Sequence, residues 1–350
     1  MQIDFHHAVT YVCARIAGFD GHRAAIIAHS AQYVDDASSN EPVYFSNKAL
    51  YRRSASAHPS IHRNNIKAIS NHIVWLPFHF LPGNGGLPAG QNPDGRFIEK
   101  IICLPDSPIA QDMINLVIAE RQRKYSLQWL GVALHVYADT FAHQGFAGVI
   151  HPVNDVEDIT DVGESGEFDS VLGGIWRDFL DDAIPPLGHG RANVFPDMPF
   201  LKWQYENGLG KTIYRDNTEI FCDAADTITK AMQRYLGNPE NGIPKADMDV
   251  IRKNFTNFVD KDGRKRHRMW IKSIAQGDIP SLGEERIRYA IGDREGSWKY
   301  EALGTSYDLP VYDWRDDFLD SNWKLFLDAT QAHRFHILHD ILPNYGICAA

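Results

Sequence analysis

The segment Leu130–Gly148 reads LGVALHVYADTFAHQGFAG, and it constrains what the chain can fold into more than any other segment. The spacing of its apolar residues predicts a helix over about residues 127–144, and since these residues lie on nearly every side, we expect that helix to be buried. His135, Asp139 and His143 follow one another at intervals of four residues, so their side chains point the same way. A carboxylate and two imidazoles are costly to bury without partners. A divalent metal ion would satisfy all three, and a buried hydrogen-bond network is the alternative.

The rest of the chain alternates between helical periodicity and polar loops. Convincing strands are scarce, and residues 148–166 are predicted to form an acidic loop. We therefore predict an all-α fold, a multi-helix bundle around a buried metal cluster. Its predicted parts are a helical metal-binding domain over residues 1–236, an irregular insertion over 237–310 packed on it, and a C-terminal helix of the same domain over 311–350.

Composition argues against several classes of protein. The 350 residues carry a formal net charge of −10, whereas nucleic-acid binders usually have a basic footprint, so no stable nucleic-acid complex is expected. The four cysteines are far apart, which favours a reducing compartment over a disulfide framework. The N-terminus lacks the pattern of a signal peptide, and no apolar run is long enough to cross a bilayer. We expect a cytoplasmic protein, or one exported without a cleaved signal peptide, with no transmembrane segment.

A metal centre needs further ligands, and the sequence offers several outside the predicted buried helix. Acidic residues at a helix end are unfavourable against the helix dipole, which indicates a cation near Asp35 or Asp36. His189 lies between two glycines, which let the backbone approach a site closely, and His151 competes for the same role. The remaining candidates are His6 or His7 near the N-terminus, His79 in the apolar loop WLPFHF, and Asp197.

In chain order, these elements resemble a known superfamily. FHHAVTYVCARIAG is similar to the N-terminal motif of the zinc-dependent phospholipase C and single-strand nuclease (3′-nucleotidase) superfamily, and Tyr33-Val34-Asp35 is similar to its Trp-Ala-Asp element. VWLPFHF and the run of His135, Asp139 and His143 resemble its two further histidine motifs. The chain also looks like an uncharacterised bacterial family with the pattern DFH…QYVDDA…HxxxDxxxHQGF. The resemblance covers about residues 4–200.

The resemblance implies a helical fold around two or three zinc ions, and manganese or iron also suits ligands of this kind. One zinc would be held by Asp35 (or Asp36), His79, His135 and Asp139; a second by His143 and His189 with Asp197; and a third by His6 (or His7) and Asp139. Asp139 would then bridge two metals. The superfamily completes its third site with the amine of an N-terminal Trp; here Asp4 is the candidate replacement, unless the third zinc is absent.

The resemblance further implies a hydrolase of phosphate esters, acting on a phosphodiester or a phospholipid. Zinc lowers the pKa of bound water, and the metal-bound hydroxide attacks phosphorus. Asp35, Asp36 and Asp139 are the candidate catalytic residues, because a carboxylate beside the metals orients the nucleophile or accepts its proton. The basic run over residues 261–270 is either a contact for an anionic lipid or nucleic-acid backbone or a solvated loop.

Two alternatives from other classes stay open. Metal ions that only hold the fold together would leave a non-catalytic binding or effector protein. A structural zinc is closed by four protein ligands, whereas a catalytic zinc keeps one open position. The doublet His339–Asp340 resembles that of HD-type phosphohydrolases, which would need a further Asp downstream that this sequence lacks.

Overall fold

Helices dominate the architecture. The computed structural model describes residues 1–57, 68–162, 188, 192, 194–290 and 294–348 of the chain. Its elements begin with a π-helical turn, Asp4–Val9, and a second π-helical segment, Ile337–Ile341, follows the last long helix. The helices are α1 (Thr10–Ala17), α2 (Gly21–Asp36), α3 (Ala68–Phe78), α4 (Ile98–Ile101), α5 (Pro108–Ala119), α6 (Ser126–Ala142), α7 (Asn217–Leu236), α8 (Lys245–Asn257), α9 (Gly263–Ala275), α10 (Trp298–Leu303) and α11 (Asn322–His336).

Two small antiparallel sheets show that the prediction of an all-α fold is wrong. In the first sheet, β1 (Pro42–Tyr44) pairs with β2 (Leu50–Arg52). In the second, β4 (Lys202–Asn207) lies between β3 (Val156–Asp161) and β5 (Thr212–Asp216). The described part of the chain is therefore a mixed α and β structure in which helices are the majority.

The larger sheet has the alternation that is typical of half-buried strands. In β4, the side chains of Trp203, Tyr205 and Asn207 are buried, and the residues between them are exposed or half-buried. The sequence from Lys211 to Leu236 predicts one long amphipathic helix, but its first part forms β5, which ends directly before α7 begins. The predicted acidic loop over residues 148–166 likewise contains β3.

The α6 helix lies at the centre of the helical part of the fold. It packs against α2, α5, α7 and α11. Every residue from Gln128 to Ala142 is buried, so the prediction of a buried helix in this region is confirmed. The polar side chains on α6 are consequently surrounded by protein and must find their partners there.

The contact between α2 and α6 depends on a glycine. A Cβ atom placed on Gly131 would lie 2.4 Å from the carbonyl oxygen of Ile27 and 2.5 Å from Cβ of Ser30, closer than real Cβ atoms approach. The absence of a side chain lets the two helix backbones meet. This approach brings the C-terminal half of α2, which contains Ala31 and Asp35, alongside the residues that follow Gly131 on α6.

Other segments of the chain differ in part from the predictions. Residues 237–310, predicted to be irregular, contain α8, α9 and α10. The sequence also predicts helices near residues 60–74 and 169–184; the first lies partly outside the described residues, and the second lies wholly outside them. The four cysteines are unpaired. Within the described residues, no helix has both the length and the apolar character needed to span a membrane.

We predict that Gly131→Ala destabilises the protein by about 1–3 kcal/mol, because the added methyl group forces α2 and α6 apart. Gly21→Ala is the matched control. It lies in the first turn of α2, and its added Cβ would meet only the hydroxyl of Tyr11 at 3.3 Å. We expect that variant to be neutral or slightly stabilised. Urea denaturation measures both effects, and equal stability of the two variants would contradict the role given to Gly131.

Candidate metal centre

Three polar side chains of the centre come from consecutive turns of α6 and from the residue that ends it. His135 is fully buried, Asp139 is 1% exposed and His143 is 3% exposed. Their spacing of four residues places them on one side of the helix, as the sequence predicts. Because this side faces the protein interior, these groups are not part of a solvated polar face.

Further donors come from segments distant in the sequence. Asp35 lies in the last turn of α2, and His79 directly follows α3. His6 lies in the N-terminal π-helical turn, and Asp197 lies in a short 3₁₀ turn before β4. Four of the predicted ligands therefore reach Asp139 or its neighbours from different parts of the fold.

Backbone carbonyl groups fix the orientation of two of the imidazoles. The Nδ1 atom of His135 lies 2.8 Å from the carbonyl oxygen of Ala31, and Nε2 of His79 lies 2.9 Å from that of Ser56. A carbonyl oxygen only accepts hydrogen bonds, so each of these nitrogens carries a proton. In the neutral ring the other nitrogen then presents a lone pair. Those two nitrogens, His135 Nε2 and His79 Nδ1, both point towards Asp139. Metal-binding histidines are oriented by outer partners in the same way.

Three donor atoms lie within 3.5 Å of one another, and a fourth lies within 3.9 Å of two of them. His135 Nε2 lies 3.3 Å from both His79 Nδ1 and Asp139 Oδ2, and His79 Nδ1 lies 3.5 Å from Asp139 Oδ2. Asp35 Oδ1 lies 3.8 Å from the His135 nitrogen and 3.9 Å from the His79 nitrogen. These separations are long for charge-assisted hydrogen bonds. A tetrahedron with such edges has its corners about 2.0–2.4 Å from its centre, close to the bond lengths of zinc to nitrogen and oxygen. The donor set fits a metal ion.

The second oxygen of Asp139 faces a different set of groups. Asp139 Oδ1 lies 3.2 Å from His6 Nε2 and 2.6 Å from the Met1 amine, which is also 3.1 Å from Asp197 Oδ1. His6, His135 and Asp139 form a second group with the spacing of metal ligands. On this side the amine already supplies a positive charge. The side that faces Asp35 is therefore the one whose donors most need a cation.

Electrostatic surroundings set the protonation of these groups. Burial raises the pKa of Asp139, but the Met1 amine and three nearby imidazoles outweigh it and hold that pKa well below its usual range. Burial lowers the pKa of His6 to about 4 and also lowers that of His135. For His79, burial lowers the pKa, but the hydrogen bond and charge of Asp139 and the charge of Asp35 outweigh it, and the pKa is raised. Burial raises the pKa of Asp35 to about 6.

Two buried arginines that no local sequence pattern indicates contact the segments that carry the centre. Arg215 donates to the carbonyl oxygens of Ala142 and Gln144 at 2.7 and 3.0 Å, so a cation caps the C-terminal end of α6 beside His143. Arg266 donates to both carboxylate oxygens of Asp4 and to the carbonyl oxygen of Asp197. These pairs are far apart in the sequence, and no local pattern predicts them.

Several predicted site residues lie elsewhere. Asp36 accepts a hydrogen bond from the hydroxyl of Tyr289, because its side chain leaves α2 on a different side from Asp35. Asp4, the candidate replacement for an amine ligand, is paired with Arg266.

Two of the other candidate histidines have hydrogen-bond partners outside the centre, and a third lies outside the described residues. His7 hydrogen-bonds to His267 at 2.9 Å, and the ring of His151 accepts from the backbone amide of Val153. His189 lies outside the described residues.

Comparison with known proteins gives a family without an assigned activity. Residues 1–341 match the family of unknown function DUF6765. No curated protein matches the chain, and neither does any solved structure. The chemistry of the centre must therefore be argued from its own geometry.

We predict that the purified protein, after dialysis against zinc and then buffer, retains at least one equivalent of metal measured by elemental analysis. Asp35→Asn and Asp139→Asn should each lower metal affinity about tenfold or more, because each removes a charged donor. Asp340→Asn is the matched control, since Asp340 pairs with His336 near the C-terminus and belongs to neither group of metal-spaced donors among the described residues. A wild-type protein that takes up no metal would contradict this prediction, as would equal loss in the control.

We also predict that Asp35→Asn stabilises the metal-free protein at about pH 7.5 by roughly 1–2 kcal/mol, a value reduced because Asp35 is 32% exposed. The raised pKa means that ionised Asp35 opposes folding above pH 6. The difference should shrink as the pH falls through about 6, because the folded carboxyl then takes up its proton, and it should vanish below the ordinary pKa of an Asp carboxyl, where both states are protonated. Urea denaturation in the presence of EDTA measures it. A destabilised variant at high pH would contradict the prediction.

Proposed function

The chain belongs to DUF6765, a family of unknown function, and we propose that it is a metal-dependent hydrolase of phosphate esters. The observation that carries the proposal is the convergence of His79, His135 and Asp139 at tetrahedral spacing in a buried site, with Asp35 as a fourth, partly exposed donor. Two histidines and one carboxylate are a common ligand set of catalytic zinc, which leaves one coordination position for water or substrate.

Zinc is the metal we propose, because imidazole and carboxylate donors in a tetrahedral arrangement suit it, while manganese and iron accept similar ligands. A bound zinc ion supplies a Lewis acid that polarises a phosphoryl oxygen and makes water acidic enough to attack phosphorus near neutral pH. Similarity of the sequence motifs to the phospholipase C and nuclease superfamily supports phosphate esters as the substrate class. The proposal also includes a second metal ion beside His143 and a third beside His6, as the resemblance implies.

The protein's own groups have separable tasks in this mechanism. Asp139 and the two imidazoles hold the metal, and the carbonyl groups of Ala31 and Ser56 keep their donor nitrogens directed at it. Asp35 is the most distant and most exposed of the four donors, and it lines a pocket open to solvent. We propose that its carboxylate orients the attacking water and accepts a proton, because a carboxyl with a raised pKa is suited to that transfer near neutral pH.

A second candidate function is favoured by the number of donors. If Asp35 binds the metal as firmly as the other three, the site is closed by four protein ligands, as in structural zinc sites. The protein would then be a metal-stabilised binding protein without catalysis. The longer distances from Asp35 to both histidine nitrogens argue for the catalytic alternative.

We predict that the zinc-loaded protein hydrolyses bis(4-nitrophenyl) phosphate and that EDTA removes this activity. Asp35→Asn should lower kcat about 100-fold or more, because it removes the proposed proton acceptor. Asp340→Asn should keep full activity, since Asp340 lies outside both groups of metal-spaced donors. A metal-loaded wild type without activity on this ester or on phospholipid vesicles, but with strongly raised thermal stability, would favour the structural alternative.

A further inference from the structure

A pocket of about 380 Å³ lies directly beside the proposed metal site, and Asp35 belongs to both. It is formed between the C-terminal turns of α2, the first residues of the chain and the N-terminal end of α9. Its lining residues include Met1, Gln32, Asp35, Asp36, Asp262 and Arg264. The volume suits the non-reacting part of a small substrate whose phosphate is bound at the metal.

Gln32 lines this pocket, and its side chain holds a buried acceptor without a partner among the described residues. The residue is 6% exposed, and among the described residues its Oε1 atom has no hydrogen-bond partner. A hydrogen bond from Gln32 helps to offset the burial that raises the pKa of Asp36, so the amide nitrogen is directed at that carboxylate. A buried carbonyl oxygen left without a donor is costly. A donor on a bound molecule would satisfy it.

The charges around the pocket restrict the occupant further. Asp35 and Asp36 are acceptors on the same side as Gln32, so this side favours a hydroxyl or ammonium group over a second anion. Arg264 lines the pocket from the first turn of α9, where Asp262 accepts its backbone amide. Its guanidinium is the cationic side chain among the lining residues, and it matches the charge of one phosphate group.

We infer that this pocket makes the enzyme selective for phosphate esters whose alkyl group carries a hydrogen-bond donor, a hydroxyl or an ammonium. Gln32 Oε1 accepts from that donor, and Arg264 pairs with the phosphate. Gln32, the first residue of the QYVDDA pattern, and Arg264, which lies outside the sequence motifs, are thus specificity-determining residues. The kinetic test of this inference rests on the proposed hydrolase function, whereas a binding measurement tests the selectivity of the pocket without it.

The kinetic test compares propyl, 3-hydroxypropyl and 3-aminopropyl 4-nitrophenyl phosphate, which have the same leaving group and chain length. The zinc-loaded wild type should have a kcat/KM about tenfold higher for at least one of the two donor-bearing esters than for the propyl ester. Gln32→Met should reduce that preference to about one, while Gln331→Met, on the exposed side of α11, should keep it. Arg264→Gln should raise KM for all three esters, and Arg268→Gln, exposed on the same helix, should not.

The binding test uses calorimetry of the zinc-loaded protein with 3-hydroxypropyl phosphate, 3-aminopropyl phosphate and propyl phosphate. If a donor-bearing compound binds more tightly than propyl phosphate and this difference is lost in Gln32→Met, the inference is supported. If no ester is hydrolysed in that case, only the proposed function fails. Hydrolysis of the three esters at equal rates, with Gln32→Met unchanged, overturns the inference and leaves the proposed function intact. Absence of any Gln32-dependent binding, without hydrolysis, overturns both.

Discussion

An ionised carboxylate inside the protein core is the constraint on which the centre depends. Asp139 lies in the middle of the most buried helix, and its charge is tolerated only because positive or hydrogen-bond-donating groups surround it. One oxygen faces the Met1 amine and His6, and the other faces His79 and His135. When both rings are neutral, the lone pairs of His79 and His135 face each other and this carboxylate oxygen, which is an unfavourable arrangement without a cation or an added proton.

The fold supports this arrangement through contacts that are not themselves part of it. Gly131 lets α2 come close enough for the carbonyl group of Ala31 to hold the ring of His135. Arg215 neutralises the end of α6, and Arg266 ties the N-terminal turn to the segment that carries Asp197. These supports are buried, and the partly exposed Asp35 lies on the side that opens into the pocket.

The parts of the centre that could be predicted from the sequence are those with a local pattern, whereas contacts between distant residues could not be predicted. His135, Asp139 and His143 were identifiable because α6 is apolar on every side and their spacing is helical. The short strands were missed because period-two alternation over five or six residues is weak beside a long helix, as in β5 and α7. The sequence did not show which of Asp35 and Asp36 faces the centre, because that depends on how α2 is rotated about its axis where it packs against α6. The pairing of Arg266 with Asp4 joins residues 262 positions apart, and no local pattern reveals it.

The proposed chemistry depends on one metal ion bound among His79, His135, Asp139 and Asp35. Anomalous diffraction from crystals of the zinc-loaded protein, collected on both sides of the zinc absorption edge, locates such an ion directly. We expect a strong anomalous-difference peak about 2.0–2.4 Å from the donor nitrogens of both histidines and from Oδ2 of Asp139. Asp35 should be the ligand nearest the pocket. No peak among these four residues, with their side chains ordered and in direct hydrogen-bond contact, would contradict it and leave a buried structural network.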